Sequence, residues 1–275
     1  MPAKEKQSES KDSEDREGGK DGGEREAVEA VEDRGDKDGK DGAKAQPSLW
    51  ERIDRPAPAP RATLTPQRIA AAAVSIADSE GLDAVTMRRL AGDLGVAPMA
   101  AYRYVGGKDE LLELMVDFVY GELPLPDEAA DWRTTMRTLA LRTRAMLLEH
   151  PWARTTVVTL TPNLLAVPER ALAALDGLGV DVDTMMAVLR TVTSYVDGAV
   201  AAEVGLLRLM RDRGWSDKDE TRTGLAPQMS WLMSTGRYPS YQRYIREATR
   251  KDDHRWQFEI GLDCVLDGIA ARMGI

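Results

Sequence analysis

The sequence predicts an all-α fold with a small N-terminal helical head, a larger helical C-terminal body and a charged tail preceding both. Three observations predict it. Apolar residues recur every three to four positions from residue 65 onward, which is the period of an amphipathic helix. Threonine, aspartate and proline stand where these stretches begin, and glycine often stands where they end, as helix caps do. Residues 1–46, in contrast, are almost without apolar side chains.

Those first 46 residues carry fifteen Asp and Glu against ten Lys and Arg. Such a segment buries too little apolar surface to offset the entropy of ordering, so we predict a disordered, charged tail. The alternative is an autoinhibitory acidic mimic of DNA. The tail holds −5 of the chain's net charge of −9. The remainder is nearly balanced, which leaves room for a local basic face.

Several classes of function have no motif behind them. Cys264 is the single cysteine, which excludes an intramolecular disulfide and a cysteine-cluster metal site. The two histidines, His150 and His254, are far apart in sequence, and no phosphate-binding glycine loop or nucleophile elbow occurs. We therefore expect neither an enzyme nor a bound metal or cofactor. The sequence offers no apolar run of roughly 18 residues and no signal peptide, so a soluble, cytoplasmic protein without membrane contact is expected.

Residues 47–62 are rich in proline and arginine. Pro56, Pro58 and Pro60 impose an extended linker, and Arg61 follows directly before the first helix of the head. A basic arm of this kind can reach a DNA minor groove, as homeodomain arms do. An ordinary solubilising linker explains the same residues, and both interpretations stay open.

The head, residues 63–122, is predicted to contain a three-helix helix-turn-helix unit and a further helix that begins at Lys108. The first two helices each begin after a threonine N-cap and end at a glycine. The third helix is expected from Pro98 to about Tyr104. Gly95 can take the left-handed conformation that the turn between the second and third helices requires. The caps and ends of the first two helices are Thr65 with Gly81 and Thr86 with Gly95.

The third helix of the head has the composition of a DNA-reading surface. Ala101 and Val105 are four residues apart and are expected to face the core. The outer side then holds two tyrosines and an arginine beside small or apolar residues. Arginine can read guanine edges, and tyrosine hydroxyls suit phosphates. The outward residues are Met99, Ala100, Tyr102, Arg103 and Tyr104.

The run from Thr86 to Leu112, with its Leu-Gly-Val, Tyr-Arg-Tyr and Lys-Asp-Glu-Leu phrases, resembles the head of the TetR family of repressors. The chain departs from the family at Ala97, where a serine cap is usual, and at Ala101, where leucine is usual. The resemblance implies backbone contacts by Thr86 and Arg88, major-groove contacts by Pro98, Met99, Ala100 and Arg103, contacts at the groove edge by Tyr102 and Tyr104, and a phosphate contact by Lys108.

The body, residues 127–275, is predicted to be helical. Helices are expected from Trp132 to about His150, from near Pro168 to Leu178, after a cap at Asp183, and from about His254 to Met273. Pro168 either starts or kinks its helix. The phrase His150-Pro151-Trp152 and the helix order resemble the tetracycline-repressor C-terminal class, which implies a homodimer built on two long helices. The implied interface residues are Leu189, Val192, Val196, Phe258, Leu262, Val265 and Ile269, although intradomain core explains the same apolar stripes.

A ligand pocket in the body is harder to place from the sequence. Aromatic and methionine residues are plentiful there, and each of them is also explained as core. Glu203 stands on an apolar stripe, where a carboxylate is costly to bury without a partner, so it either anchors a ligand or reaches solvent. The residues expected to bind ligand are Phe118, Met146, Trp152, Tyr195, Glu203 and Trp231.

Together these features predict a repressor that binds a palindromic operator as a homodimer and is released by a small-molecule effector. The resemblance implies control of an efflux or biosynthetic gene. One alternative keeps the head but has a body that senses no ligand, either a pseudo-receptor or an activator. Another is a helical binding protein that does not touch DNA.

Overall fold

The computed structural model of the 275-residue chain describes residues 47–54, 64–155 and 160–275. These residues form helices and connecting turns without a strand, which confirms the all-α prediction. The predicted tail, residues 1–46, and Arg61 of the predicted arm lie outside the described residues. Within the described ranges, no helix is both long and apolar enough to cross a membrane, and no group of three or more side chains could hold a metal ion.

Eleven α-helices follow one another along the described residues, with short 3₁₀ turns at Leu82–Ala84 and Ala153–Thr155. They are α1 (Leu49–Asp54), α2 (Pro66–Glu80), α3 (Met87–Leu94), α4 (Pro98–Ala101), α5 (Lys108–Gly121), α6 (Trp132–Glu149), α7 (Pro162–Ala173), α8 (Val182–Arg213), α9 (Lys218–Ser234), α10 (Pro239–Glu247) and α11 (His254–Met273).

The head forms as its caps predict. The Thr65 hydroxyl accepts from the Arg68 amide at 3.2 Å and begins α2. The Thr86 hydroxyl does the same for the Arg89 amide at 3.1 Å and begins α3. Helix α2 packs on α5 and on α3. The third helix is shorter than predicted, because α4 ends at Ala101 and the chain continues as a turn.

The body is built on α6, α8 and α11, with α7 packed against the first two. For Pro168, the structure decides between the two alternatives that the sequence left open, and for Asp183 the predicted cap is wrong. Helix α7 begins at Pro162, capped by Thr161, so Pro168 lies inside the helix. Helix α8 is capped by Asp181 rather than by Asp183, because Asp181 accepts from the Thr184 amide at 3.0 Å. Helices α9 and α10 were not predicted.

The residues predicted for the dimer interface belong instead to the core of one chain. Six of the seven are at most 7% exposed in the single chain, and Val265 is partly buried against the same cluster. A side chain that is almost wholly buried within one chain offers little surface to a second. Their periodicity therefore marks the packing of α8 on α6 and α11. The six buried residues are Leu189, Val192, Val196, Phe258, Leu262 and Ile269.

Candidate nucleic-acid interface

Helices α3 and α4 are joined by a tight turn that holds α4 by its inner side. Gly95 adopts the left-handed conformation, with φ 66°, and ends α3. The Val96 amide then donates to the Ala91 carbonyl at 3.0 Å. Ala101 and Val105 are fully buried, as the sequence predicts. The outer side of α4 and of the turn after it is consequently left to solvent.

Most of the predicted DNA-binding residues lie on this outer side. Met99 is 71% exposed and Tyr102 is 45% exposed, so both large side chains are accessible on this face. Ala100 is half-buried. Thr86 is exposed, and its hydroxyl is engaged in capping α3. The exposed polar residues and proline that complete the set are Arg88, Pro98, Arg103 and Lys108.

The cations of the head fall into two groups. Arg89 hydrogen bonds Glu80 at 2.6 Å and pairs with Asp93, and the hydrogen bond to Glu80 is the largest cause that raises its pKa. Four other cations, in contrast, have side chains that form no hydrogen bond or ion pair with any residue that the structure describes. An unpaired cation on an outward face is available to a phosphate or a base edge. One of the four, Arg68, lies on α2, and the three that lie on α4 and beside the starts of α3 and α5 are Arg88, Arg103 and Lys108.

Tyr104 has a role within the head. Its ring is half-buried, and its hydroxyl donates to the backbone carbonyl of Leu64 at 2.9 Å. This bond fastens the turn after α4 to the segment that enters α2. The contact of Tyr104 with DNA stays a prediction, and the structure adds a positioning role that its spacing in the sequence did not reveal.

Helix α1, which was not predicted, is fastened beside this surface. Its Arg52 pairs with Glu110 in the first turn of α5. The same carboxylate accepts from the Gly106 amide at 2.7 Å, so it also holds the turn before α5. Leu49 of α1 is buried in the core. The end of α1 at Asp54 therefore delivers the chain close to the start of α5, where Lys108 lies.

A hydrogen-bonded joint, formed by Asp78, His150 and Trp152, connects the head to the body. The Asp78 carboxylate on α2 accepts from Trp152 Nε1 at 2.7 Å. His150 Nδ1, at the end of α6, lies 2.9 Å and 3.0 Å from the two oxygens of the same carboxylate. Both aromatic residues are buried, at 7% and 5% exposure. The joint was not predicted, because Trp152 was expected to bind ligand and no local pattern shows that residues 72 and 74 positions apart meet.

The six predicted ligand residues are not brought together. Tyr195 and Glu203 line a cavity of about 240 Å³ between α6, α8 and α11. Glu203 has a buried partner there, because its Oε2 lies 2.6 Å from Arg144 Nη2. Arg144 was not predicted, although a carboxylate on an apolar stripe indicates that a cation should lie nearby. Elsewhere, Met146 and Trp152 are buried core, Phe118 is partly buried against it, and Trp231 is 67% exposed on α9.

The head and the body each match a known protein family. Residues 69–115 match the model for bacterial regulatory proteins of the tetR family. Residues 124–273 match the model for the tetracyclin repressor-like C-terminal domain. The HTH-type transcriptional repressor DrrR1 of Streptomyces coeruleorubidus is 33% identical over 80% of this chain and 83% of its own length. An HTH-type transcriptional regulator of Saccharopolyspora erythraea is 32% identical over 77% of this chain and 87% of its own.

Among solved structures, the TetR family protein ActR of Streptomyces coelicolor, in complex with actinorhodin, aligns with a TM-score of 0.61 and 27% identity. The alignment covers 78% of this chain and the whole of ActR. Together the two family models match most of the described head and body. The chain belongs to the TetR family of bacterial regulatory proteins.

Proposed function

We propose that this protein is a transcriptional repressor that binds operator DNA as a homodimer and is released by a small molecule. The observation that carries the DNA-binding part is the face formed by α4 and the starts of α3 and α5. That face exposes three unpaired cations beside Met99 and Tyr102, while the neighbouring Arg89 is neutralised within the chain. It is a non-catalytic role, exercised in the cytoplasm where the DNA is.

In this proposal the start of α4 enters the major groove. Arg103 reads a guanine edge, and Met99 with Ala100 contacts thymine methyl groups. Thr86 and Arg88 approach the phosphate backbone from α3, and Lys108 binds a phosphate from the start of α5. Tyr102 lies at the groove edge. Pro98, at the first position of α4, presets the backbone without needing a hydrogen-bond partner for its nitrogen.

The homodimer is supported by the outer face of α8. The exposed positions opposite the core stripe carry small residues at helical spacing, and two of them are Gly198 and Gly205. A Cβ added at either glycine would meet nothing within 4 Å in the single chain. Glycine inside a helix costs about 1 kcal/mol relative to alanine, and nothing in one chain compensates for that cost here. The remaining members of the face are Ala187, Thr191, Ser194 and Ala202.

Helix α11 exposes a matching face. Ile260 is 49% exposed and Trp256 is 40% exposed, and Cys264 is exposed between Ile260 and Gly268. Gly268, like the two glycines of α8, would place an added Cβ in open space. Pairing these two faces with the same faces of a second copy makes a four-helix interface. Such a pair would hold two recognition surfaces at the spacing of about 34 Å that successive major grooves require.

The substitution Gly198→Glu tests the proposed dimer interface without destabilising the helix. Glutamate has a higher helix propensity than glycine, so Gly198→Glu is expected to keep the fold while it buries a charge between two copies. Analytical ultracentrifugation should then show a monomer where the wild type is a dimer. Thr193→Glu, an exposed position on the same helix but off the small-residue face, is the matched control. A Gly198→Glu protein that remains dimeric would refute this interface.

The small-molecule part of the proposal rests on family membership and on the cavity at Glu203. The relative ActR was solved with actinorhodin bound, and DrrR1 is named a repressor. Control of an efflux or biosynthetic gene is proposed on the same footing. Binding of ligand and DNA to different conformations makes each weaken the other by the same factor, commonly through about 1–3 kcal/mol of coupling. A body that senses no ligand is the second candidate, and it predicts no such mutual effect.

A gel shift on the DNA upstream of the protein's own gene, or on genomic fragments selected by the protein, tests the DNA-binding part. Arg103→Ala should weaken the specific complex by about 1–3 kcal/mol, which is roughly 5- to 150-fold. Arg246→Ala is the matched control, because it removes the same charge from an exposed site on α10. If no selected fragment binds, or if the two variants bind alike, the chain does not use this face to read DNA.

A further inference from the structure

A wide groove adjoins the Glu203 cavity. It encloses about 860 Å³ between the C-terminal part of α8 and the helices α9 and α10. Helix α8 has 32 residues, and its buried stripe ends at Val204. The stripe continues as Leu206 and Met210, which the described residues leave partly exposed. Across the groove lie Leu225 and Met229 of α9 and Tyr241 and Tyr244 of α10.

Polar groups meet at the end of this groove that adjoins the smaller cavity. Arg144, Glu203 and His254 line both spaces. The Arg144 side chain is only 13% exposed, and its guanidinium carbon lies 5.1 Å from the centre of the Phe258 ring. Its Nη2 bonds Glu203, but its Nε is buried and has no hydrogen-bond partner among the described residues. A buried donor without an acceptor is costly and is rare in folded proteins.

The charge of the groove is opposite to that of the chain. Its lining residues include five Lys and Arg against three Asp and Glu, whereas the whole chain carries −9. Ligand sites typically combine apolar walls with a few convergent polar groups and enclose about 300–1,000 Å³. This groove has each of those properties. Its lining on α8 is also on the core side of that helix, opposite the small-residue face that we assign to the second copy.

We propose that the groove binds an elongated, largely aromatic molecule that carries one anionic oxygen-bearing group. The anionic group pairs with the Arg144 guanidinium, whose residue lines both spaces, and the aromatic part lies between Met210, Met229 and Tyr241. Glu203 acts as a positioning residue, because its bond to Nη2 holds the Arg144 guanidinium beside the cavity that both residues line. The inference rests on the proposed response to a small molecule and names the chemical class and the place of that ligand.

A matched pair of fluorescent probes tests the chemistry directly. 1-Anilinonaphthalene-8-sulfonate carries a sulfonate, and N-phenyl-1-naphthylamine is the same skeleton without it. The test variant is the double substitution Arg144→Gln with Glu203→Gln, which leaves no charge buried alone. Charge-assisted hydrogen bonds contribute about 1.5–3 kcal/mol, so the double variant should bind the sulfonate probe about tenfold or more weakly. The neutral probe should bind it within about twofold of the wild type.

Two controls locate the effect. Arg222→Gln removes a cation from the groove rim, where the side chain is 58% exposed, and should change binding of the sulfonate probe less than about threefold because water screens that charge. Ala226→Trp fills the groove from α9 and should weaken both probes together. Ala226→Trp also keeps the test decisive if the double variant does not fold.

Every variant is made in the full-length chain and compared with the wild type, and each outcome supports or overturns the proposal. The site is supported if the double variant, but not Arg222→Gln, loses the preference for the sulfonate probe over the neutral probe. Equal binding by wild type and double variant overturns it, and so does unchanged binding in Ala226→Trp. Probe binding that appears only in monomeric Gly198→Glu means that a second copy fills the groove, which also overturns it. The gel shift is independent, so a protein that shifts DNA but shows no Arg144-dependent preference refutes this inference and leaves the DNA-binding proposal intact.

Discussion

Removing the carboxylate of Asp78 should separate the head from the body energetically. This side chain accepts from two buried donors of the body, Trp152 Nε1 at 2.7 Å and His150 Nδ1 at 2.9 Å. Asp78→Ala deletes the acceptor and leaves both donors facing a gap. Asp78→Asn keeps one acceptor oxygen but loses the charge. The two substitutions therefore remove different shares of the same joint.

The magnitude follows from the two donors. A buried donor left without a partner costs about 1–3 kcal/mol, which gives about 2–6 kcal/mol for both. The Asp78 side chain is 29% exposed, so water can reach the gap and replace part of the loss. We therefore expect Asp78→Ala to lower the free energy of unfolding by about 2–4 kcal/mol, and Asp78→Asn by about 1–2 kcal/mol. Either is a large fraction of the roughly 5–15 kcal/mol by which folded proteins are stable.

Urea unfolding followed by circular dichroism measures these differences. Asp83→Ala is the control, because Asp83 is an exposed carboxylate of the same head without a hydrogen bond to any described residue. Its loss is expected to change the free energy of unfolding by less than about 0.5 kcal/mol. If Asp78→Ala is no more destabilising than Asp83→Ala, the carboxylate does not join head to body in solution and the reasoning fails.

Three further outcomes are expected. Ala97→Ser should raise the free energy of unfolding by about 1 kcal/mol, because the cap of α4 has extended backbone but no side-chain acceptor; no gain in urea midpoint would contradict this. Lys108→Ala should make the fall of the logarithm of the operator-binding constant with the logarithm of salt concentration less steep by about 1. An unchanged slope would mean that Lys108 binds no phosphate. The Asp131 pKa should lie below its ordinary value, because the Thr134 hydroxyl and amide donate to the carboxylate. The stabilisation by that carboxylate is present above the unfolded pKa and is lost as pH falls through the folded one, and NMR titration should show Thr134→Val raising the pKa.

The head could be predicted from the sequence nearly helix by helix, since its boundaries are set by local chemistry. Thr65 and Thr86 cap the predicted helices, and Gly95 takes the left-handed turn. The start of α7 was missed for a local reason too. Thr161 and Pro162 repeat the Thr-Pro pattern that begins α2, and this cap distinguishes Pro162, which starts the helix, from Pro168, which lies inside it.

The sequence could not show which residues pack against each helix face. The apolar stripe of α8 is correctly assigned as buried, yet periodicity does not say whether a second chain or the same chain covers it. Val192 and Val196 pack inside one chain, and the small residues around Gly198 are left for the second copy that we propose. Likewise the position of Glu203 on an apolar stripe indicates that a cation should pair with it, but only the fold shows that this cation is Arg144, 59 positions away in the sequence.

Arg144 lies on α6 and His150 caps the C-terminal end of that helix, about 9 Å further along its axis at 1.5 Å per residue. A ligand held at Arg144 and the joint at Asp78 are therefore connected by one rigid element. A displacement of α6 by ligand must strain the bond to Asp78 or move α2 with it. Trp152→Phe should then leave binding of the sulfonate probe to free protein unchanged but reduce the factor by which the probe weakens operator binding. Because coupling is reciprocal, operator DNA should lose its effect on probe affinity by the same factor. Full coupling in Trp152→Phe would mean that the signal reaches the head by another route.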